Sequence, residues 1–446
     1  MRVLDGFAAA ASVLSRRRID DSYTIPPALQ KRVEELFGEG TGLEGAVRRI
    51  LDGVRQRGDA ALLGYTARID GVRLGSLEAG RGMRDKARRQ VDDSLVSALE
   101  LAAGRIRDFH LRQKQGLADF DLPGAGQRVR PLGRVGIYAP GGRAAYPSTV
   151  LMTAVPARVA GVKEIILVTP PGEKGEIPPA TLVAADIAGV DRVFSVGGAQ
   201  AIAALAYGTE TIPAVDKICG PGNVFVTLAK KLVYGVVAID GLAGPSEVLV
   251  LADDTARADY CAADLLAQAE HDPMASAILI TTSPRLAAEV EEEVSRQLAT
   301  LARKDIIAEC LESRGVIAIT GSLDEAIELA NQYAPEHLCL ALARPELYLD
   351  RITSAGCIFL GQEATVPLGD YVAGPSHVLP TGGTARFGSP LNITDFMKFT
   401  SLVRVEKGSP PGIGRAAWLM ARAEGLEAHA RAIEVRYKDI FKETQT

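Results

Sequence analysis

The chain has 446 residues, of which 47% are hydrophobic and 24% are charged. This is an ordinary globular balance, and the length is enough for roughly two to four domains. A formal net charge of −5 argues against nucleic acid as the main partner. The sequence has no run of about 18 apolar residues, the length that crosses a bilayer, so no membrane partner is expected either.

The first 26 residues are predicted to form a helical segment. An alanine-rich patch from Phe7 to Leu14 precedes three arginines at 16–18. A secretory signal carries its positive charge before its apolar part, so we interpret this segment as a first amphipathic helix.

The five cysteines occur without a C-x-x-C pair, which indicates small buried thiols in a reducing compartment. The alternative role is a thiol nucleophile, as in aldehyde oxidation. Most of the five lie in apolar runs, where a thiolate is disfavoured. We therefore expect no catalytic thiol among Cys219, Cys261, Cys310, Cys339 and Cys357.

Residues 27–66 and 80–115 are rich in helix formers, with apolar positions at the 3.6-residue helical period. His110 lies in the second stretch beside Phe109, a setting in which a lone histidine is usually structural. From Arg134 onward, short strands alternate with helices.

The first block of this alternation has strands beginning at 134, 164, 192 and 216, three of which run into glycine-rich turns. Glycine lets the backbone approach a ligand, and a helix N-terminus attracts phosphate. Neither G-x-G-x-x-G nor G-x-x-x-x-G-K-[ST] occurs. The spacing alone therefore indicates only nucleotide or anion loops at the carboxyl ends of a parallel sheet.

The second block repeats the pattern with five strands and three helices between them. The strands are predicted at 247–251, 277–281, 315–319, 338–342 and 357–360, and the helices at 256–270, 284–300 and 323–331. The fold class is therefore α/β, with two doubly wound parallel sheets of incomplete Rossmann type. Two such units usually hold a substrate between them.

The predicted domain organisation has four parts. A helical N-terminal segment is followed by two α/β domains and a helical C-terminal tail, with the boundaries 1–26, 27–133 plus 246–385, 134–245 and 386–446.

Glu336 and His337 follow Pro335 at the head of an apolar run that ends at Leu342. Proline cannot donate to a sheet ladder, so the strand is predicted to begin after it, with the pair on a turn at the strand edge. Neighbours on a regular strand face opposite ways, so both reach one site only if the backbone turns there. Adjacent Glu–His pairs are common, and a hydrogen-bonded histidine beside a solvated glutamate is the alternative.

Gln268 and His271 lie about 60° apart on one shoulder of a predicted helix. Such a pair can bind an ion or a ligand. The alternative is that the two residues form a half-exposed polar side of the helix with no ligand. Asp370 and His377 lie in a loop rich in glycine and proline, which suits a pocket wall rather than a core.

Glu424 and His429 lie in the predicted C-terminal helices. On one unbroken helix they would point about 140° apart. Gly425 is predicted to break the helix between them, which would let both face one site.

Four of the five histidines thus lie in polar patches, each near a carboxylate or an amide. Imidazole with carboxylate and carbonyl oxygen is a ligand set that suits zinc or another borderline metal. Ligands scattered over four segments are typical of a site formed by folding rather than of a zinc-finger ribbon.

Several strings of the sequence resemble histidinol dehydrogenase, in order and over nearly the whole chain. They are GPSEVLV at 244–250, QAEH at 268–271, APEHL at 334–338, GDY at 369–371, HVLPTGG at 377–383 and AH at 428–429. The resemblance implies a cytoplasmic homodimer with one Zn²⁺ per subunit. Such an enzyme oxidises L-histidinol through an aldehyde to L-histidine with two NAD, closing histidine biosynthesis.

The resemblance also implies roles for particular residues. The zinc ligands would be Gln268, His271, Asp370 and His429. The acid–base pair would be Glu336 and His337, with His337 taking the alcohol proton and Glu336 activating water. The substrate would contact Ser246, His377 and Glu424 together with Gln268, His271, His337, Asp370 and His429. NAD would contact Tyr138, Gln200 and Asn223, and the tail with Glu424 and His429 is expected to reach the partner's site.

Two other classes of function stay open. One is a paralogous alcohol dehydrogenase of the same fold that acts on another small polyol, which turnover of histidinol would exclude. The other is a non-enzymatic, metal-dependent binding protein, which would take up zinc without forming NADH.

Overall fold

The computed structural model describes residues 1–16, 25–141, 145–405 and 411–437. The strands are Arg2–Asp5 (β1), Phe120–Leu122 (β2), Ala125–Pro131 (β3), Arg134–Tyr138 (β4), Glu164–Thr169 (β5), Arg192–Ser195 (β6), Lys217–Cys219 (β7), Ala238–Ile239 (β8), Glu247–Ala252 (β9), Ser276–Thr281 (β10), Gly315–Ile319 (β11), His337–Ala341 (β12), Cys357–Leu360 (β13) and Met397–Val403 (β14).

The α-helices lie mostly between these strands. They are Phe7–Leu14 (α1), Pro27–Phe37 (α2), Leu43–Tyr65 (α3), Arg81–Arg88 (α4), Asp93–Lys114 (α5), Pro147–Ala160 (α6), Pro179–Ala188 (α7), Gly198–Tyr207 (α8), Val224–Val233 (α9), Ala258–Ala269 (α10), Pro284–Leu298 (α11), Lys304–Arg314 (α12), Leu323–Tyr333 (α13), Val366–Tyr371 (α14), Pro411–Ala423 (α15) and Glu427–Glu434 (α16). None of the helices in the described ranges is long and apolar enough to cross a bilayer.

A six-stranded parallel sheet has the order β1-β11-β10-β9-β12-β13. Every residue of its inner strands β9 and β10 is buried. Alternate residues of β9 face opposite cores, with Val248 and Val250 packing towards α10 and α11, and Leu249 and Leu251 towards α1 and α13. Covering both faces explains why these strands are continuous apolar runs rather than alternating ones.

A five-stranded parallel sheet has the order β6-β5-β4-β7-β8. Helices α8 and α9 lie on one of its faces, and α3 packs against both helices, with Ile50 and Val54 of α3 in the same core as Ile202 of α8. Residues 27–133 are predicted to share a domain with 246–385, whereas the apolar stripe of α3 is buried in this five-stranded core. The domain boundaries otherwise stay a prediction.

The chain divides into two compact units. The first comprises Met1–Gly116 and Pro131–Met397 and contains both parallel sheets. The second comprises Leu117–Arg130 and Lys398–Thr446. In it, β2 and β3 pair antiparallel and β14 lies on the other side of β3, while α15 and α16 pack against each other.

The predicted α/β class with parallel sheets is confirmed, and β5, β11 and β13 have the predicted bounds. The N-terminal segment is not wholly helical, because Arg2–Asp5 forms an edge strand paired parallel with β11. The tail is not wholly helical either, because Met397–Val403 is a strand. Both strands are largely exposed, so neither shows the apolar run by which the inner strands are recognised.

Candidate active site

A sharp backbone turn places the Glu336–His337 pair. Ala334 has φ 54 and ψ 65, the left-handed conformation, and it is the only non-glycine residue with positive φ in the described part of the chain. The strand then begins at His337 itself, so His337 is not on the turn as predicted but is the first residue of β12. Both side chains are buried, at 5% and 4% exposure. The turn predicted as the condition for their convergence is present.

The main chain of Glu247, at the start of the neighbouring strand β9, holds both side chains. Its N–H donates to Glu336 Oε2 at 2.8 Å, and its carbonyl accepts from His337 Nδ1 at 2.9 Å. A carbonyl only accepts, so Nδ1 carries a proton and Nε2 is the nitrogen left for chemistry. Nε2 lies 3.5 Å from Asp370 Oδ1 and has no hydrogen-bond partner among the described residues.

Three ionisable groups are coupled at this point. Burial raises the pKa of Glu336 to about 7, against the opposing charge of His337. Burial lowers the pKa of His337, but the charges of Glu336 and Asp370 outweigh it and raise that pKa to about 9. Burial also acts to raise the pKa of Asp370, but the neighbouring His337 imidazole reverses this and holds that pKa below its usual value.

Gln268 and His271 lie where α10 ends, and Asp370 lies on α14, which packs against α10. The His271 imidazole is close enough to Asp370 for their charges to interact. The structure therefore brings His271 and Asp370 together beside His337, with Gln268 in the last turn of the helix that precedes His271. Across residues 1–16, 25–141, 145–405 and 411–437, no three His, Cys, Asp or Glu side chains already form a metal cluster.

The Gln268 side chain is buried without hydrogen bonds to the described residues. It is 2% exposed, yet neither its amide oxygen nor its amide nitrogen has a hydrogen-bond partner in the described part of the structure. A buried amide without partners costs free energy, so such groups are nearly always satisfied. The Gln268 amide oxygen, which accepts no hydrogen bond from the described residues, is therefore suited to be a ligand of a cation.

His377 lies in the loop after α14 and is bonded at both ring nitrogens. Nδ1 donates to the Asp370 carbonyl at 2.8 Å, and Nε2 lies 3.2 Å from Thr149 Oγ1 at the start of α6. Burial lowers the pKa of the His377 imidazole, against the raising charge of Asp370. The Thr149 contact joins the first turn of a helix of the five-stranded sheet to the Asp370 region.

Glu247 and Arg16 support the Glu336–His337 pair, and neither was predicted as a site residue from the sequence. The Glu247 carboxylate is buried, with Oε1 2.7 Å from Arg16 Nη1 and 3.2 Å from the Gly382 N–H that donates to it. Arg16 also lies over the ring of Tyr333 at 3.7 Å. Glu247 stands beside the half-buried Ser246 in the string GPSEVLV, which was the only signal for it. Arg16, the ion-pair partner of Glu247, is far from it in the sequence and stands in no motif that would indicate this contact.

The predicted NAD contacts lie at the carboxyl edge of the five-stranded sheet. Tyr138 ends β4 and accepts a hydrogen bond from the Gly198 N–H on its hydroxyl at 3.2 Å. Gln200 is 1% exposed, and its Oε1 lacks a hydrogen-bond partner among the described residues. Asn223 caps α9 by accepting from the N–H groups of Phe225 and Val226.

Glu424 and His429 belong to the second unit. Helix α15 ends at Ala423 and α16 begins at Glu427, with Gly425 at φ 72 between them. The predicted helix break is therefore confirmed. Both side chains are solvent exposed.

The five cysteines are free, and four are fully buried. Burial raises the pKa of the Cys339 thiol well above its usual value and that of Cys357 to about 11. Thiolates are thus disfavoured at both positions.

Comparison with known proteins places this geometry in a family. The family model for histidinol dehydrogenase matches residues 38–437. The chain belongs to the histidinol dehydrogenase family. It is 55% identical over 434 residues to a histidinol dehydrogenase of Dehalococcoides mccartyi strain CBDB1, covering 97% of this chain and 99% of that one.

Two further relatives agree with this placement. A histidinol dehydrogenase of Deinococcus radiodurans is 50% identical over 442 residues, covering 98% of this chain and 100% of that one. The crystal structure of histidinol dehydrogenase from Elizabethkingia anophelis matches with a TM-score of 0.90 at 37% identity, covering 99% of this chain and 98% of that one. Membership of this family makes the chain an oxidoreductase of histidine biosynthesis.

Proposed function

We propose that the protein oxidises L-histidinol through L-histidinaldehyde to L-histidine, with Zn²⁺ and NAD as cofactors. The observation that carries the proposal is a set of buried polar atoms without partners at the start of β12 and in the last turn of α10, the helix against which the Asp370 helix packs. They are His337 Nε2 and both amide atoms of Gln268, among the described residues. Unpaired buried atoms of this kind converge where a ligand is to be bound.

The donor set fits zinc. Gln268, His271 and Asp370 offer an amide oxygen, an imidazole and a carboxylate, and the partner subunit's His429 would be the fourth ligand. One carboxylate among three neutral ligands leaves a bound Zn²⁺ with a net positive charge. When bound, the metal would orient an amino alcohol and polarise its oxygen. A cation at Asp370 would also compensate the carboxylate that raises the pKa of His337.

His337 is proposed to take the proton of the alcohol. Its tautomer is fixed by the Glu247 carbonyl, so the free Nε2 faces Asp370. A carbinol carbon gives up its hydride only as its hydroxyl loses a proton, so the imidazole must be neutral when it acts as the base. A cation at Asp370 would lower the pKa of His337 from about 9 towards neutrality and so favour that form. Bound NAD would accept the hydride.

Glu336 is proposed to activate water for the second oxidation. An aldehyde must add water before it can lose a second hydride. A carboxyl with its pKa raised to about 7 is half ionised at neutral pH and is a far stronger base than an ordinary glutamate. No thiol is required, in keeping with the raised pKa of the buried cysteines.

Tyr138, Gln200 and Asn223 are the proposed NAD contacts, and His377, Ser246 and the partner's Glu424 the further substrate contacts. The Thr149–His377 contact supports placing the two ligands side by side, because it joins the edge with the NAD residues to the loop of Asp370. We further propose a homodimer with shared sites, located in the cytoplasm, where five free thiols stay reduced.

The test is the stoichiometry of turnover by the zinc-loaded dimer. We expect two NADH for each L-histidine formed from L-histidinol, and no NADH after zinc is removed with a chelator. Zinc uptake without NADH would instead identify a binding protein. Faster turnover of another small polyol than of histidinol would identify a dehydrogenase of different specificity.

A further inference from the structure

The loop from Gly220 to Asn223 contains one of the proposed NAD contacts, and a buried ion pair lies directly beneath it. Lys230 of α9 and Asp240, after β8, form this pair, and their side chains are 3% and 5% exposed. Lys230 Nζ donates to the Gly220 carbonyl at 3.0 Å. Asp240 Oδ2 accepts from the Gly220 N–H at 2.6 Å. The ion pair thus forms hydrogen bonds with both main-chain polar groups of Gly220, its N–H and its carbonyl.

Gly220 needs such support because its backbone is unusual. It has φ +111, and a Cβ at this position would lie 2.1 Å from the Tyr138 carbonyl oxygen. The loop therefore turns directly against the residue that ends β4. At its other end the loop is fixed by the Asn223 cap on α9.

A buried ion pair is weak evidence of stability, because apolar residues of similar size often stabilise a fold as well. Here the ion pair supplies a charged hydrogen-bond donor and a charged acceptor to the main chain of Gly220. We propose that Lys230 and Asp240 are positioning residues that set the Gly220–Asn223 loop for NAD, an inference that rests on the proposed function. They do not touch the dinucleotide themselves.

The same strand offers a matched control. Lys217, at the opposite end of β7, pairs with Asp395 at 2.6 Å and is also buried. Asp395 belongs to the turn at Ile393–Phe396, where its side chain also accepts from the Asn392 N–H, and no hydrogen bond among the described residues joins it to the loop. Removing either pair costs a buried Lys–Asp interaction, but only one of them holds Gly220.

The experiment compares two double variants as zinc-loaded, full-length dimers: Lys230→Met with Asp240→Leu, and Lys217→Met with Asp395→Leu. For the first we expect the KM for NAD to rise about tenfold, with the KM for histidinol changed less than about twofold, because a small misplacement of a binding group weakens only its own ligand. For the second we expect both KM values to stay near those of the wild type, with a comparable loss of Tm.

Equal KM values for NAD in the two double variants would overturn the proposal while leaving the proposed function intact. A wild-type protein that forms no NADH from histidinol would end the proposed function, and this inference with it. If the first double variant does not fold, the single change Asp240→Asn keeps the shape of the carboxylate and takes its place. The same rise in the KM for NAD alone is then expected, and an unchanged value again overturns the proposal.

Discussion

The two parallel sheets present their candidate ligand groups at opposite edges. In the six-stranded sheet, Glu247 and His337 are the first residues of β9 and β12. In the five-stranded sheet, Tyr138 is the last residue of β4, and Gly198 and Asn223 follow β6 and β7. Ligands of open parallel sheets normally lie at the carboxyl ends of strands, so only the second sheet follows that rule.

The chemical character of the two edges differs accordingly. The carboxyl edge of the five-stranded sheet offers glycine backbone, a helix cap and amide groups, which suit the binding of a large anionic ligand. The amino edge of the six-stranded sheet offers buried ionisable side chains whose pKa values are shifted by one another. We therefore propose that the first edge binds the dinucleotide and that the second transfers protons.

The largest effect that sharpens this contrast is expected from Glu336→Gln. The change keeps the shape of the side chain but removes the base for water, so formation of the acid should fall by about 10³-fold. Oxidation of the alcohol should fall much less, because His337 serves that half. Single-turnover NADH formation from histidinol and from histidinaldehyde measures the two halves separately. Equal losses in both would contradict this division of labour.

The pH dependence of the acid-forming half is the next largest effect. Burial raises the pKa of Glu336 to about 7, and the ionised form is the active base. The rate should therefore fall about tenfold for each pH unit below 7, and Glu336→Gln should remove this acid-side fall in rate.

The same raised pKa makes the stability of the protein depend on pH. The folded state holds the Glu336 proton more tightly than the unfolded state, so the stabilising contribution is present below pH 4.5 and is lost as the pH rises through 7. Denaturant titrations of the metal-free protein and of Glu336→Gln measure that loss, and parallel curves would refute it.

At the binding edge, Gly220→Ala should act on NAD and on stability. The new Cβ would meet the Tyr138 carbonyl oxygen at 2.1 Å in a backbone with φ +111. We expect a loss of roughly 2–4 kcal/mol in the free energy of unfolding and a raised KM for NAD. Gly235→Ala is the control, because Gly235 has φ +101 but open space around it, so only about 1–2 kcal/mol of backbone strain is expected. Similar losses in both variants would show that the close approach to Tyr138 does not matter.

The smallest effect is expected from Cys339→Ala. This thiol is buried in β12, and its raised pKa disfavours the thiolate. Removing it should cost about 1–2 kcal/mol of stability through the lost packing, with kcat for both halves unchanged. A variant that oxidised the alcohol but accumulated the aldehyde would instead point to a thiol intermediate.

Much of the fold could be predicted because the inner strands of both sheets are apolar on both faces. The runs at Glu164–Thr169 and Gly315–Ile319 carry that signal in a few adjacent residues. The exposed strands β1 and β14 do not, because their pairing is decided by residues distant in the chain. For the same reason the sequence did not show that α3 packs against α8 and α9, the helices of the five-stranded sheet.

The candidate site residues could be predicted from the sequence, but the residues that hold them in place could not. Glu336, His337, Gln268 and Asp370 stand in short polar strings that can be read locally. The Glu247 main chain that holds the pair is 89 and 90 residues away, and the Arg16 that neutralises its side chain lies near the N-terminus. Such contacts are set by tertiary packing and leave no periodicity in the sequence.

The central claim is that a zinc site beside Glu336 and His337 is completed by the partner subunit's His429. The direct measurement uses mixed dimers, purified through two different tags, of a His271→Ala subunit and a His429→Ala subunit. Each homodimer should be inactive, whereas the mixed dimer should show about half of the wild-type activity, since one of its two sites receives all its ligands from intact residues. An inactive mixed dimer that binds no zinc would contradict the claim.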